Sequence, residues 1–201
     1  MSKILYIKAN AKPEGVSRTF QISDRFVKAY EEAHQEDEIV TLDLYQEKID
    51  FLREQDINSI FGPKGEDSKN HPILKYAYQF MEADKIIVAA PLWNLSIPAI
   101  LKAYIDYISV TGITFKYTAQ GPVGLCQGKK VVHIAARGGE YSEGPAAGFE
   151  MGDRYLRTIF GFFGINDFIT IAAEKLDVIG EDVEGILKDT IEKAVQLAEN
   201  F

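Results

Sequence analysis

The sequence predicts a three-layer α/β fold, in which one parallel β-sheet lies between two layers of helices. Five short apolar segments alternate along the chain with segments of helical periodicity. The apolar segments are hydrophobic at nearly every position, as strands buried on both faces of a sheet require. The chain has 201 residues, of which 46% are hydrophobic. This is enough for a sizeable core, and we expect a single domain over residues 1–201.

The predicted strands are runs of mainly aliphatic residues, and each is followed by a loop. They cover residues 3–8, 38–44, 85–90, 129–136 and 167–173. Apolar residues three and four positions apart predict the helices. These cover residues 18–34, 72–81, 98–110, 149–163 and the chain from 182 onward. We expect residues 45–70 to be irregular and residues 113–118 to form a short β-like insertion.

Composition excludes several classes of protein. The net charge of −8 argues against a broad basic face and so against a nucleic-acid partner. Cys126 is the only cysteine, which rules out an internal disulfide and suits the cytoplasm. The apolar run at the start of the chain is too short for a signal peptide or a membrane span. The three histidines lack metal-ligand spacing, so no metal site is expected.

Three unusual loops follow the first, third and fourth predicted strands. We call them loop one (residues 9–19), loop three (residues 91–98) and loop four (residues 137–145). In an open parallel sheet, ligands bind at the carboxyl ends of the strands, where the strand order reverses. The three loops are therefore expected to meet at one ligand-binding edge.

Loop one has the features of a phosphate site. Ser17, Arg18 and Thr19 fall at the start of the first predicted helix, where unpaired N–H groups and a partial positive charge favour anions. The loop lacks the glycine patterns of Walker and Rossmann sites. The alternative is that Ser17 only caps the helix and that Arg18 is solvated.

Loops three and four have the features of a slot for a flat ring. Leu92, Trp93 and Leu95 can form an apolar wall, and Asn94 offers both a donor and an acceptor. Alternatively, Trp93 is a core residue and Asn94 a turn residue. Loop four begins with Arg137, Gly138 and Gly139, which allow close backbone approach, and Tyr141 offers a hydroxyl; the alternative is a plain glycine turn. A phosphate site beside a ring slot suggests a mononucleotide with a large flat ring, and FMN fits best.

The chain resembles the FMN-dependent NADH-quinone oxidoreductase and azoreductase family over essentially its whole length. The segments that carry the resemblance are "AAPLWNLSIPAILKAYID", "GITFKYTAQGPVGL", "ARGGEYSEGP" and "YLRTIFGFFGI". The resemblance implies a flavodoxin-like fold with strand order 2-1-3-4-5 in the sheet. It also implies a homodimer that passes a hydride from NADH, or NADPH, through FMN to quinones or azo compounds. The chemistry resides on FMN, so no side chain is assigned as catalytic.

The site residues fall into two groups under this resemblance. Those expected at FMN are Asn10, Ser17, Arg18, Thr19, Pro91, Leu92, Trp93, Asn94, Leu95, Ala136, Arg137, Gly138, Gly139 and Tyr141. Those expected to wall the substrate cavity, partly from the partner chain, are Phe115, Tyr117 and Phe162. Some family members have Ser at position 9, Met-Tyr at 92–93 and His at 141, where this chain has Ala, Leu-Trp and Tyr.

Two other classes of protein fit the same fold. One is a flavodoxin-type electron carrier, which needs an exposed flavin edge and no dinucleotide pocket. The other is a non-enzymatic flavin-binding protein. The many aromatic residues near positions 115–117 and 160–163 favour the enzyme, because they offer apolar surface for a partner subunit and for flat substrates. The alternative is that these aromatic residues belong to the core.

Overall fold

A computed structural model describes the backbone of residues 1–201 and every side chain except those of Ser59 and Glu66. Its seven strands are β1 (Lys3–Lys8), β2 (Glu38–Asp43), β3 (Lys85–Ala89), β4 (Phe115–Thr118), β5 (Gly121–Gly124), β6 (Lys130–Ala136) and β7 (Asp167–Ala173). Its six α-helices are α1 (Arg18–Ala33), α2 (Glu54–Phe61), α3 (Leu74–Glu82), α4 (Ala99–Ile108), α5 (Gly152–Phe162) and α6 (Val183–Ala198).

Five strands form one parallel sheet in the order β2-β1-β3-β6-β7. Numbered by their sequence within the sheet, this is the order 2-1-3-4-5, so the predicted fold class is confirmed. β4 and β5 form a separate antiparallel hairpin between α4 and β6, where the sequence predicted a β-like insertion. The order reverses between β1 and β3, which places loops one and three side by side.

The sheet is buried on both faces. Side chains of β1 alternate between two hydrophobic cores, with Leu5 and Ile7 on one face and Ile4 and Tyr6 on the other. The first core packs against α3, α4 and α5, and the second against α1 and α6. This two-residue alternation places an apolar side chain on each face, which is why the strands are hydrophobic throughout.

The prediction that residues 45–70 are irregular is wrong for part of the segment. Helix α2 lies there, and a short 3₁₀ turn follows at Glu66–Asn70. The helix has only eight residues, and among those whose side chains the structure describes, Ile60 is the one buried in the core. A single buried position cannot produce a visible helical period in the sequence.

Helix α5 begins later than predicted, at Gly152 rather than at residue 149. The carboxylate of Glu150 accepts hydrogen bonds from the N–H groups of Asp153 (2.8 Å) and Arg154 (3.2 Å), so it caps the helix start. In the part of the chain that the structure describes, none of the helices is both long and apolar enough to cross a bilayer.

Candidate cofactor site at the carboxyl edge of the sheet

The three predicted loops meet at the carboxyl ends of β1, β3 and β6, around a cavity of about 100 Å³. Its lining consists of Asn10, Lys12, Arg18, Thr19, Pro91, Leu92, Trp93, Ala136, Arg137, Gly138, Leu176 and Asp177. Pockets that enclose a whole drug-sized ligand are about 300–1,000 Å³. This cavity therefore suits the polar tail of a ligand, and a tricyclic ring has to lie against the loops at its rim.

The start of α1 forms the base of the cavity. Ser17 is the N-cap of α1, and its Oγ accepts hydrogen bonds from the N–H of Phe20 (3.2 Å) and from Nδ2 of Asn10 (2.7 Å). The capping role of Ser17 is thus present. Its hydroxyl hydrogen is used in neither bond and stays available to donate.

Several donors at this helix start have no acceptor within the described chain. The N–H groups of Arg18 and Thr19 bond to no carbonyl or side chain, as expected for the first turn of a helix. The hydroxyl of Thr19 is also without a partner, although Thr19 is fully buried. A buried hydroxyl without a partner costs about 1–3 kcal/mol. Thr19 is also among the residues of the cavity lining.

Arg18 forms an ion pair with a carboxylate of the cavity lining that the sequence analysis did not include. Its Nη1 donates to Oδ1 of Asp177 at 2.7 Å. Asp177 lies just after β7, so the loop after the fifth strand of the sheet also belongs to the site. Lys12, in loop one, joins Arg18 and Arg137 as a third cationic side chain in the lining.

Loop three makes a tight turn in an unusual backbone conformation. Trp93 and Ser96 exchange N–H···O bonds of 2.8 and 3.0 Å, and the two residues between them, Asn94 and Leu95, have φ of 49° and 68°. A left-handed residue other than glycine costs about 1–2 kcal/mol. The N–H of Met151, just before α5, donates to the carbonyl of Leu95 at 2.9 Å and helps to hold this strained turn. Such strain is common at ligand sites.

Trp93 is half-buried at the cavity wall and is not a core residue, so the core alternative is wrong; its contact with a flat ring stays a prediction. Leu92 lines the cavity beside it. Asn94 and Leu95 are exposed at the tip of the turn and do not line the cavity.

His133 contacts the residue just before loop three. It is buried in β6, with one ring nitrogen 3.2 Å from the carbonyl of Ala90 and the other 2.9 Å from Oδ1 of Asp153. Burial alone would raise the pKa of Asp153, but hydrogen bonds from His133, Thr170 and Arg157 outweigh it and hold that pKa well below its usual range. The histidine is a structural residue that ties β6 and α5 to the start of loop three.

Loop four runs alongside the segment after β7. The carbonyls of Arg137, Gly138 and Gly139 accept hydrogen bonds from the N–H groups of Leu176 (3.2 Å), Asp177 (2.9 Å) and Lys175 (3.0 Å). The N–H groups of both glycines have no acceptor in the described chain. A Cβ on Gly138 would lie 2.5 Å from Oδ2 of Asp177, so any other residue here would push this exposed carboxylate aside.

Arg137 is buried and lines the cavity, but two carboxylates hold its terminal nitrogens. Nη1 lies 3.1 Å from Glu174, and Nη2 lies 3.5 Å from Glu150. Its Nε has no partner among the described atoms. The backbone N–H of Arg137 is also used, in a bond of 2.8 Å to the carbonyl of Ala173, so of these groups only Nε is left for a ligand.

Tyr141 lies outside the cavity. Its ring covers Gly139, where a Cβ would meet ring atoms at 3.0–3.3 Å. It lines a neighbouring cavity of about 490 Å³ that also contains Glu150, Arg154 and Arg157. Its predicted contact with a ring edge is untested.

The three residues predicted to wall the substrate cavity form an aromatic cluster of their own. The ring of Phe115 is 5.5 Å from that of Tyr117 and 4.8 Å from that of Phe162. The cluster joins the β4–β5 hairpin to the last turn of α5 and does not line the cavity described above. Tyr117 is 66% and Phe162 36% exposed.

Sequence reasoning missed three residues of the lining, Lys12, Leu176 and Asp177. Lys12 lies within loop one, and its charge was a usable signal. The other two follow the fifth strand of the sheet, whose carboxyl end lies at the same edge. Including that loop would have found them.

These features define a nucleotide-binding α/β protein with an anion site at the start of its first helix and a flat apolar rim beside it. The chain belongs to the family described as flavodoxin-like fold, whose model matches residues 2–198. The family resemblance seen in the sequence is thereby confirmed.

Curated relatives and solved structures agree with this assignment. The chain is 70% identical, over 100% of both chains, to the FMN-dependent NADH:quinone oxidoreductase 2 of Clostridium acetobutylicum. An azoreductase structure from Bacillus anthracis str. Sterne matches with 40% identity, a TM-score of 0.91 and 100% coverage of both chains. An FMN-dependent NADH-azoreductase from B. anthracis str. Ames Ancestor, solved in complex with FMN, matches at 26% identity with a TM-score of 0.89. That match covers 100% of this chain and 99% of the other.

Proposed function

We propose that this chain is an FMN-dependent NADH:quinone oxidoreductase that also reduces azo compounds. The observation that carries the proposal is the fully buried, unpartnered hydroxyl of Thr19 beside the free N–H groups of the α1 start. This group of donors suits a phosphate, and it lies next to a rim formed by Leu92 and Trp93. Of the relatives named above, one is named as an FMN-dependent NADH:quinone oxidoreductase and another as an azoreductase.

The residues present fit FMN. The α1 start, Arg18 and Lys12 supply positive potential for its phosphate, and Thr19 supplies a donor. Ser17 adds its hydroxyl hydrogen, with Asn10 holding that hydroxyl in place.

The ring of FMN is assigned to the rim between loops three and four. Trp93 and Leu92 provide the apolar wall that excludes water from one side. The free N–H groups of Gly138 and Gly139, together with Asn94 and Tyr141, are the proposed donors to its polar edge. Pro91, Leu95 and Ala136 complete the backbone around it.

The chemistry that FMN supplies when bound is acceptance of a hydride from NADH and delivery of two electrons to the acceptor. The overall reaction is NADH + H⁺ + quinone → NAD⁺ + hydroquinone. The protein orients both substrates against the ring and places donors where negative charge develops. None of these steps needs a side-chain nucleophile.

A homodimer and a cytoplasmic location belong to the same proposal. The cavity is too small to enclose a tricyclic ring, so a second surface has to cover the rim. Tyr117 and Phe162, which pack against the buried ring of Phe115, offer exposed apolar surface for a partner subunit and for flat substrates. NADH or NADPH is the donor, and no nucleic acid or membrane partner is proposed.

An absorption spectrum of the purified protein tests the proposal. The protein should be yellow after reconstitution with FMN, lose its visible absorption when NADH is added without oxygen, and recover it when a quinone is added. A protein that binds FMN but is not bleached by NADH is an electron carrier or a binding protein instead. A protein that does not bind FMN at all contradicts the proposal.

A further inference from the structure

Glu174 follows the last residue of β7, and its carboxylate binds loop four at three points. Oε1 accepts hydrogen bonds from the N–H groups of Tyr141 (2.9 Å) and Ser142 (3.0 Å) and from Nη1 of Arg137 (3.1 Å). The side chain of Glu174 is only 17% exposed. One carboxylate therefore holds both the beginning and the middle of the loop.

Arg137 extends this attachment to a second element. Its other terminal nitrogen lies 3.5 Å from Glu150, and Glu150 caps helix α5. The arginine is 3% exposed, so it needs both carboxylates to offset its burial. The start of loop four is thus fixed between β7 and α5.

The two glycines of loop four cannot fix their own orientation. Gly138 and Gly139 have no side chains, and glycine is the residue with the greatest backbone freedom. Their carbonyls are turned toward the segment after β7, which leaves both N–H groups without an acceptor. A donor that is ordered before its ligand arrives binds more tightly, since the cost of ordering has already been met.

We propose that Glu174 is a positioning residue that orders loop four so that the N–H groups of Gly138 and Gly139 meet the ring of the cofactor. This inference rests on the proposed function, because it takes FMN as the ligand at the rim. Glu174 does not touch the cavity itself and acts through Arg137 and the loop backbone.

Glu174 stays ionised at neutral pH, as this role requires. Burial by itself would raise the pKa of its carboxyl, but the hydrogen bonds from the Tyr141 N–H and from Arg137 outweigh burial and lower it. Hydrogen bonds to an ionised acceptor are roughly twice as strong as those between neutral groups.

The test compares Glu174→Ala and Glu174→Gln with a matched control in the same loop. Glu140 is that control: its carboxylate also joins loop four to the segment after β7, through an ion pair of 2.8 Å with Lys175. The Glu140 side chain is 51% exposed, so the pair is worth little. Binding of FMN and of riboflavin to the apoprotein is measured by quenching of flavin fluorescence, and the melting of each apoprotein is recorded.

Glu174→Ala is expected to weaken FMN and riboflavin by the same factor, about tenfold to a hundredfold. The factors are equal because the N–H groups that Glu174 orders are proposed to meet the ring, which FMN and riboflavin share. Glu174→Gln keeps an oxygen that accepts from the backbone and should recover part of the affinity. Glu140→Ala should bind both ligands as the wild type does. The visible spectrum of bound FMN should change shape only in the Glu174 variants, because it reports the surroundings of the ring.

Three results would overturn the inference while leaving the proposed function intact. They are wild-type affinity in Glu174→Ala, loss of FMN affinity without loss of riboflavin affinity, and equal losses in the Glu140 and Glu174 variants. If Glu174→Ala does not fold, Glu174→Gln decides by the same criteria. A wild-type chain that binds neither flavin contradicts the proposed function and removes this inference with it.

Discussion

The two edges of the β-sheet differ in how their polar groups are satisfied. At the amino-end edge, several backbone and side-chain groups pair within the protein, with the buried hydroxyl of Thr111 beside the β4–β5 hairpin as an exception. The N–H of Lys3 donates to Asp84 at 2.8 Å, and Nζ of Lys129 donates to the carbonyls of Met81 and Ala83 at the end of α3. We call the amino-end edge the closed edge, because these polar groups find their partners within the protein.

At the carboxyl-end edge, which we call the open edge, several hydrogen-bond donors have no acceptor within the described residues. They include the hydroxyl of Thr19, Nε of Arg137 and the N–H groups of Gly138 and Gly139. Leu95 is also held there in a left-handed conformation. At one edge of the sheet, hydrogen bonds within the protein stabilise the fold. At the other edge, donors stay available for a ligand.

Substitution at the closed edge should have the largest effect on stability. Gly124 ends β5 at this edge, and a Cβ there would overlap the backbone of Phe163 and Gly164. Backbone cannot give way as a flexible side chain can, so Gly124→Ala should lower the free energy of unfolding by about 3 kcal/mol. Urea denaturation measures this value. Gly128→Ala is not a suitable control because its φ is 79°, whereas Gly148→Ala meets nothing within 4 Å and should cost far less.

The scaffold beneath the open edge should show a pH-dependent contribution. Asp153→Asn weakens the bonds to His133, Thr170 and Arg157 and should cost about 2 kcal/mol at neutral pH. The folded-state pKa of Asp153 is depressed, so its contribution is complete above the unfolded value of about 3.9.

As the pH falls below about 4, the unfolded chain takes up the proton first, and the contribution of Asp153 is lost. Urea denaturation at several pH values should show the wild type and Asp153→Asn converging in acid. A difference that stays constant from pH 7 to pH 3 would contradict this assignment.

Arg18→Ala tests the charge at the open edge. The variant should bind FMN about tenfold less tightly and riboflavin almost as the wild type does, because riboflavin lacks the phosphate. Fluorescence quenching measures both constants. Equal losses would show that Arg18 does not act on the phosphate.

Thr19→Val should raise the stability of the apoprotein and lower its affinity for FMN. Removing a buried hydroxyl that has no partner should stabilise the apoprotein by about 1 kcal/mol, and FMN should bind about fivefold less tightly. Thr19→Ser keeps the hydroxyl and is the matched control for affinity. If Thr19→Val destabilised the apoprotein and left FMN binding unchanged, the hydroxyl would have an internal role.

The smallest effect is expected at Asp177. Its ion pair with Arg18 is exposed, and such pairs are worth less than about 1 kcal/mol. Asp177→Asn frees Arg18 and removes a negative charge near the phosphate, so FMN should bind about two- to threefold more tightly and riboflavin unchanged. The gain should shrink in high salt. Weaker FMN binding would mean that Asp177 helps to hold the cofactor.

Much of this edge could be predicted from local sequence. The alternation of apolar strands and helices predicts the parallel sheet, and the parallel sheet places loops one, three and four together. Ser17 caps α1 because it lies just before a helical period. Trp93 indicated a ligand site because a short strand-to-helix loop does not require a tryptophan for its structure.

Other parts of the site depend on residues that are far apart in the chain. Glu174 binds the backbone of Tyr141, and Asp177 binds Arg18, across 33 and 159 positions respectively. Helix α2 was missed because, among its residues with described side chains, only Ile60 is buried, and one buried position leaves no helical pattern.

The sequence by itself determined which segments form strands, which loops lie at the carboxyl edge and which residue types can bind a phosphate and a flat ring. These depend on hydrophobic period and on residues that are neighbours in the chain. Only the tertiary structure decided which donors keep no partner and which carboxylates hold the loops. The reason is that a hydrogen bond between distant segments depends on the packing of the whole sheet, and no short window of sequence contains both of its partners.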